Sequence, residues 1–148
     1  MLVDDNPVDV RLLQTMFQSI ARPIELQRAK DGSEALDLLA RSRTDSRAWM
    51  PDLILLDLNM PRVSGLEALS VIKRDPNWRQ IPVIVLSTSS APAEVRAAYE
   101  NYASAFVQKP GSIGRTEMLV RAIEAFWVDF VVLPTVANVS SPTFSTGI

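Results

Sequence analysis

Six residues carry most of the chemistry this sequence can offer: Asp4, Asp5, Asp57, Ser87, Thr88 and Lys109. The chain has neither histidine nor cysteine. Disulfides, thiolate metal sites, cysteine nucleophiles, the usual general base and phosphorylation on histidine are therefore excluded. What remains is carboxylate, hydroxyl and ammonium chemistry, to which a hard metal ion is the natural addition. Three carboxylates gathered in one place repel one another, and at least one pKa rises. A divalent cation relieves that repulsion, and Mg²⁺ favours a few carboxylates together with waters and phosphate oxygens. A carboxylate is also a nucleophile towards phosphoryl donors, giving an aspartyl phosphate. Phosphoryl transfer asks for charge compensation and in-line positioning more than for proton transfer. Lys109 and a metal ion supply the positive charge, and the Ser87 hydroxyl can donate to a phosphoryl oxygen.

These residues meet only if the chain places them on one rim, and the apolar pattern says that it does. Leu2-Val3 is a short apolar stub ending at Asp4-Asp5-Asn6. Asn6 and Pro7 open a helix carrying Leu12, Leu13, Met16, Phe17 and Ile20 at helical spacing. Residues 24–29 alternate apolar and polar like a strand. Asp31-Gly32 reads as a turn, and Ser33 as the cap of a second helix that turns Ala35, Leu36 and Leu39 inward. Leu53 to Leu56 and Val83 to Leu86 are continuous apolar runs, as in strands covered on both faces. They end at Asp57 and at Ser87-Thr88. Between them, Leu66, Leu69 and Ile72 mark a third helix after Gly65. Val95, Ala98, Tyr99 and Tyr102 mark a fourth. Ala105 to Gln108 is a strand ending at Lys109-Pro110, and Met118 to Phe130 a fifth helix with a wide aromatic and aliphatic face. Five alternations of strand and helix imply a parallel α/β sheet with right-handed crossovers and helices on both faces. In such sheets ligands gather beyond the carboxyl ends of the strands. Asp4, Asp5, Asp57, Ser87, Thr88 and Lys109 all follow strand ends.

The bulk properties agree with this reading. The 148 residues, 47% apolar and 22% charged with net charge −2, suit one globular domain. No basic block points to nucleic acid, no apolar run reaches membrane-spanning length, and the acidic start is unlike a signal peptide. A cytoplasmic protein is the expectation.

The motifs Asp4-Asp5-Asn6-Pro7, Asp31-Gly32 with Glu34-Ala35-Leu36, Pro51-Asp52 through Asp57 with Met60-Pro61 and Gly65, Pro82 through Ser87, and Lys109-Pro110 together resemble the receiver domains of two-component response regulators. The resemblance spans residues 1–133, with 134–148 expected as a loose tail. The stretch from Asp5 to Leu13, and the ending Ala125-Phe126-Trp127 with Leu133-Pro134, look like the standalone regulators paired with bacterial phytochromes. The resemblance implies a flavodoxin-like five-stranded parallel sheet of order 2-1-3-4-5. It implies that Asp57 accepts a phosphoryl group from a sensor histidine kinase. Mg²⁺ would be held by Asp5, Asp57 and the Asn59 backbone carbonyl, with Asp4 acting through water. Lys109 would pair with the phosphoryl oxygens, Ser87 and Phe106 would switch together, and the Lys109–Pro110 bond would be cis. Helix four, strand five and helix five form the face expected to change. That face, or the stripe of Phe126, Trp127 and Phe130, is the expected homodimer contact.

Three departures from the family pattern stand out. Only Met1 to Val3 precede the acids, a short first strand for a position at the sheet centre. Either the true start lies upstream, or the domain is weakened, or another segment such as the Ser/Thr-rich tail fills the gap. The fourth helix lacks its usual terminal glycine, so Asn101 is expected to take the left-handed conformation in place of Tyr102. Gly111 and Gly114 make a poor start for helix five. Two other functions compete. A haloacid-dehalogenase-type phosphatase also uses Asp, Mg²⁺ and Lys, but usually places a second Asp two residues after the nucleophile, where this chain has Asn59. A pseudo-receiver scaffold would bind no Mg²⁺. The fifteen residues after Leu133 are too few for a DNA-binding domain.

Overall fold

The two apolar runs make the centre of the sheet in the computed structural model, which describes residues 1–45 and 47–134. Strand β3 (Ile54–Asp57) pairs in parallel with β4 (Val83–Ser87), in register from Ile54 opposite Val83 to Asp57 opposite Leu86. β1 (Leu2–Val3) lies between β3 and β2 (Arg28–Ala29), and β5 (Ala105–Gln108) completes the far edge beside β4. All pairings are parallel and the order is β2-β1-β3-β4-β5. Alternate side chains of the central strands point to opposite faces. Leu55, Ile84 and Leu86 pack with Val10, Leu13 and Phe17 of α1 (Pro7–Gln18) and with Val120 and Ile123 of α5 (Ile113–Ile123). Ile54, Leu56, Val83 and Val85 pack with α2 (Gly32–Arg41), α3 (Gly65–Arg74) and Ala98 of α4 (Pro92–Glu100).

The short first strand limits its neighbour. Leu2 N–H donates to Gln27 O and Asp4 N–H to Ala29 O. Of the alternating stretch 24–29, only Arg28 and Ala29 are therefore a strand. Residues 24–26, by contrast, make no backbone bond to β1. A cavity of about 360 Å³ opens there, at the amino ends of the strands, lined among others by Met1, Ile24, Leu26, Trp49, Leu53 and Trp127. Val131 and Leu133 border it. Beyond Pro134, the expected tail lies outside the described residues.

Helix ends correct three expectations. Asp31, not Ser33, caps α2: its Oδ1 accepts the Glu34 N–H at 2.9 Å. Gly32 thereby becomes the first helical residue, at a point where a Cβ would lie 2.7 Å from the Val63 carbonyl oxygen. At the end of α4 the left-handed residue is Tyr102, with φ of 62°, while Asn101 has φ of −93°. The cause is hydrogen-bond register. Ala103 N–H donates to Ala98 O and Tyr102 N–H to Tyr99 O, the paired bonds of a Schellman ending, and these fix Tyr102 as the first residue past the cap. Asn101 contributes in another way, donating its side-chain amide to Ala97 O at 2.9 Å. The fifth helix is also not uniform. Ser112 caps α5 through Arg115 N–H, and from Glu124 to Phe130 the winding loosens to a π-helix. That extension leaves Phe126 and Phe130 exposed, while Trp127 packs against the face shared by α1 and α5.

Candidate functional site

Parallel pairing brings the carboxyl ends of β1, β3, β4 and β5 to one rim, and with them Asp4, Asp57, Ser87 and Lys109. Asp4 is almost wholly buried. Its Oδ1 accepts the Asn6 N–H at 2.9 Å and its Oδ2 accepts Lys109 Nζ at 2.8 Å. Asp57 closes β3 as a buried carboxylate. Its Oδ1 accepts the Asn59 N–H at 3.3 Å and its Oδ2 lies 3.4 Å from Lys109 Nζ. Asp5 is exposed, yet one oxygen from each of Asp4, Asp5 and Asp57 lies within 4.8 Å of the others. Two of these three acids are buried, which suits a divalent cation shared among them and open to solvent on the Asp5 side.

The loop after β3 is held in place by sterics and caps. A Cβ on residue 65 would lie 2.0 Å from the Asp57 carbonyl oxygen, so only glycine permits this approach of α3 to the strand end. Gly65 N–H donates to Leu58 O at 3.1 Å. Ser64 and Glu67 form a reciprocal capping box just beyond. Arg62, with φ of 67°, pairs with the buried Asp31 carboxylate and so ties this loop to the start of α2. Asn59, carried by the loop, donates its side-chain amide to Ser87 Oγ at 3.3 Å. Ser89 N–H reaches the same oxygen at 3.2 Å. With both lone pairs of Ser87 engaged, its hydroxyl hydrogen remains to donate. Thr88, its rival in the sequence, is exposed.

Electrostatics follow from this packing. Burial raises the Asp57 carboxyl above its ordinary value, opposed by the Lys109 charge and reinforced by Asp4. Burial alone would lower Lys109. The hydrogen bond and charge of Asp4, the charge of Asp57 and the hydrogen bond of Asp9 outweigh it, so the ammonium is held more firmly protonated than usual. Asp31 titrates below its ordinary range, chiefly through the Glu34 N–H, against a burial penalty and with help from Arg62.

The rim thus unites Asp4, Asp5, Asp57, Ser87 and Lys109, while Thr88 is exposed and lines a cavity on the Asp9 side of Lys109. Phe106 is half-buried on β5 against the core shared with α2 to α4, and its backbone N–H donates to the Tyr99 hydroxyl at 3.2 Å. The Lys109–Pro110 bond is trans, against expectation, and no described peptide bond is cis. Trans is the intrinsically lower-energy isomer by about 0.5–1 kcal/mol. Two functional neighbours were not anticipated. Asp9 Oδ2 accepts Lys109 Nζ at 3.1 Å, and Arg62 bonds Asp31. Asp9 stands in the first turn of a helix begun by Asn6-Pro7, a placement that already aims it at the rim. The Arg62–Asp31 link has no signal in spacing.

Comparison with known proteins gives concordant results. The family model of the response regulator receiver domain matches residues 1–133. Response regulator Rcp1 of Synechocystis sp. is 36% identical over 134 residues, covering 90% of this chain and 91% of that one. The polar-differentiation response regulator DivK of Brucella anthropi is 34% identical, over 78% of this chain and 86% of the relative. Among solved structures, the Mn²⁺-bound form of Rcp1 superposes with a TM-score of 0.82 at 36% identity, covering 90% of this chain and 96% of that one. The phosphorylated cyanobacterial phytochrome response regulator RcpA gives 0.85 at 37% identity, with the same coverage.

Proposed function

The chain belongs to the response regulator receiver family, and on that premise we propose that it is a switch whose Asp57 accepts a phosphoryl group from a sensor histidine kinase. The observation that carries this is the meeting of Asp4, Asp5, Asp57 and Lys109 at one rim, with three acid oxygens within 4.8 Å and one ammonium bonded among them. A carboxylate oxygen of Asp57 attacks phosphorus, a P–O bond forms, and the P–N bond of the donor phosphohistidine breaks. The electron pair goes to the imidazole nitrogen, which takes up a proton. Asp5, Asp57 and the Asn59 carbonyl would hold Mg²⁺, with Asp4 close behind. Bound there, Mg²⁺ neutralises charge on the phosphoryl oxygens. Lys109 supplies a second fixed positive charge, and Ser87 has a free hydroxyl hydrogen to offer a phosphoryl oxygen. Mn²⁺ in Rcp1 and phosphorylation of RcpA support both parts of the reading.

Signalling then runs through protein contact. Ser87 turning towards the phosphoryl group, with Phe106 following inward, would shift a pre-existing equilibrium. The face of α4, β5 and α5, with Tyr99 and Tyr102 exposed, is the surface it would alter. A second copy docks on that face, or on exposed Phe126 and Phe130. The protein acts in the cytoplasm as a phosphoacceptor and not as a turnover phosphatase, for Asn59 stands where a catalytic acid would be needed. Among the described residues no helix is long and apolar enough to cross a membrane.

Acetyl phosphate with Mg²⁺ should add one labile phosphoryl group to the protein, read by intact mass, and chelation should prevent it. Asp57→Asn should stay unlabelled. Labelling of that variant at the parental level would end the proposal.

A further inference from the structure

The Lys109 ammonium donates to Asp4 at 2.8 Å and to Asp9 at 3.1 Å, and forms an ion pair with Asp57 at 3.4 Å. Two of these acids belong to the cluster able to share a cation; Asp9 does not. It reaches the ammonium from the first turn of α1 and is about one-third exposed. Beside the pair lies a cavity of about 210 Å³, lined by Asp9, Leu12, Thr88, Lys109, Pro110 and Gly111 among others. A lysine side chain released from its partners has room to turn there.

We propose that Asp9 is a positioning residue that holds the Lys109 ammonium over Asp57 while the other two acids are engaged by the cation and the phosphoryl group. The proposal rests on the reading of Asp57 as phosphoacceptor. A divalent cation held by Asp5 and Asp57, with Asp4 engaged behind it, would weaken the hold of Asp4 and Asp57 on Lys109 and repel the ammonium at close range. The long side chain then regains rotamer freedom unless an acid outside the cation site keeps it. Asp9 is that acid. The ordinary role of an acid in a first turn is to complement the helix dipole, which would support α1 whatever stood at position 109. The two roles separate when Lys109 is absent.

The test is a double-mutant cycle on the rate of labelling by acetyl phosphate in saturating Mg²⁺, with Asp9→Ala, Lys109→Ala and the pair. Asp9→Ala should slow labelling about tenfold, the scale of a modest misplacement of a charged group. With Lys109→Ala already in place it should change the rate less than twofold. Asp9→Glu should recover most of the parental rate, whereas Asp9→Asn, which preserves shape without charge, should not. Should the lysine variants label too slowly to measure, that contrast between Glu and Asn decides. Equal losses in both backgrounds, an unchanged or faster rate in Asp9→Ala, or full activity in Asp9→Asn overturns the assignment. A parental protein that takes no label would instead remove the acceptor reading itself, and this inference with it.

Discussion

Gly65→Ala joins the fold and the site in one substitution. The new Cβ would lie 2.0 Å from the Asp57 carbonyl oxygen, 2.6 Å from Leu58 Cα and 2.8 Å from the Asp57 carbonyl carbon. Ordinary contact begins near 3.4 Å, so about 1.4 Å of separation has to be found between backbone and side chain. The strand cannot yield easily, since β1 and β4 bond it from both sides. The start of α3 must move instead, stretching the 3.1 Å bond from Gly65 N–H to Leu58 O. Overpacking costs about 1–3 kcal/mol and the strained hydrogen bond about 1 kcal/mol. The expected loss is therefore about 2–4 kcal/mol, against a total stability of about 5–15 kcal/mol for such a domain. The variant should still fold, with a urea midpoint lower by roughly 1–2 M at the usual slope. Labelling at Asp57 should fall further than stability explains, because a shift of about 1 Å at a reacting group costs as much as a hundredfold in rate. Gly114→Ala is the control: it lies in α5 with open space around its Cβ position and should stabilise by about 0.5–1 kcal/mol. A Gly65→Ala protein within 0.5 kcal/mol of the parent, labelling at the parental rate, would refute the steric account of this junction.

Two further predictions concern stability. Because burial holds Asp57 above its ordinary value of 3.8, the folded protein binds that proton more tightly than the unfolded chain, and stability is lost as pH rises through the window above 3.8. Without divalent cation, Asp57→Asn should therefore unfold at higher urea than the parent at pH 7, and the gap should shrink as pH falls towards that value; a parent equal to the variant at pH 7 would contradict the burial argument. The opposite trend of Asp31, whose stabilisation fades as pH falls, is common to both proteins and cancels in the difference. Tyr102→Gly removes a left-handed non-glycine residue that is three-quarters exposed, so little packing is lost. It should raise stability by about 1 kcal/mol in urea unfolding, and a loss would show that the Tyr102 ring carries packing at the α4 ending.

What the sequence made legible was whatever a local pattern determines. The buried runs before Asp57 and Ser87 locate two strand ends without ambiguity, and the polar residue after each run marks the rim. Asn6-Pro7 fixed the start of α1 for the same reason: cap and first turn lie within a few residues. The misplaced features depend on partners distant in the chain or on one hydrogen bond of register. Residues 24–26 have a strand pattern and no ladder, because pairing depends on a partner strand distant in the chain. Asp31 takes the cap from Ser33 by accepting the Glu34 N–H, which starts the helix at Gly32, close to Val63 in a distant loop. The left-handed position falls on Tyr102, against residue preference, because two backbone bonds count from Ala98 and Tyr99. Asp9 was missed since its partner is a hundred residues away.

The inventory at the rim also bears on how long a phosphoryl group would stay. Hydrolysis of an aspartyl phosphate needs a water in line with the leaving carboxylate, and a neighbouring base assists it. The chain has no histidine. Lys109 is held more firmly protonated than usual and so offers charge but no base. The side chain two residues beyond the acceptor is the amide of Asn59, which bonds Ser87 and cannot accept a proton at its nitrogen. Asp4 and Asp9 share the ammonium, leaving only exposed Asp5, which on the proposed reading is engaged with the cation. Among the described residues, those proposed to stabilise charge during transfer thus include no free base beside Asp57. On the proposed reading, a partner that brings its own base to the rim should therefore speed release of the phosphoryl group.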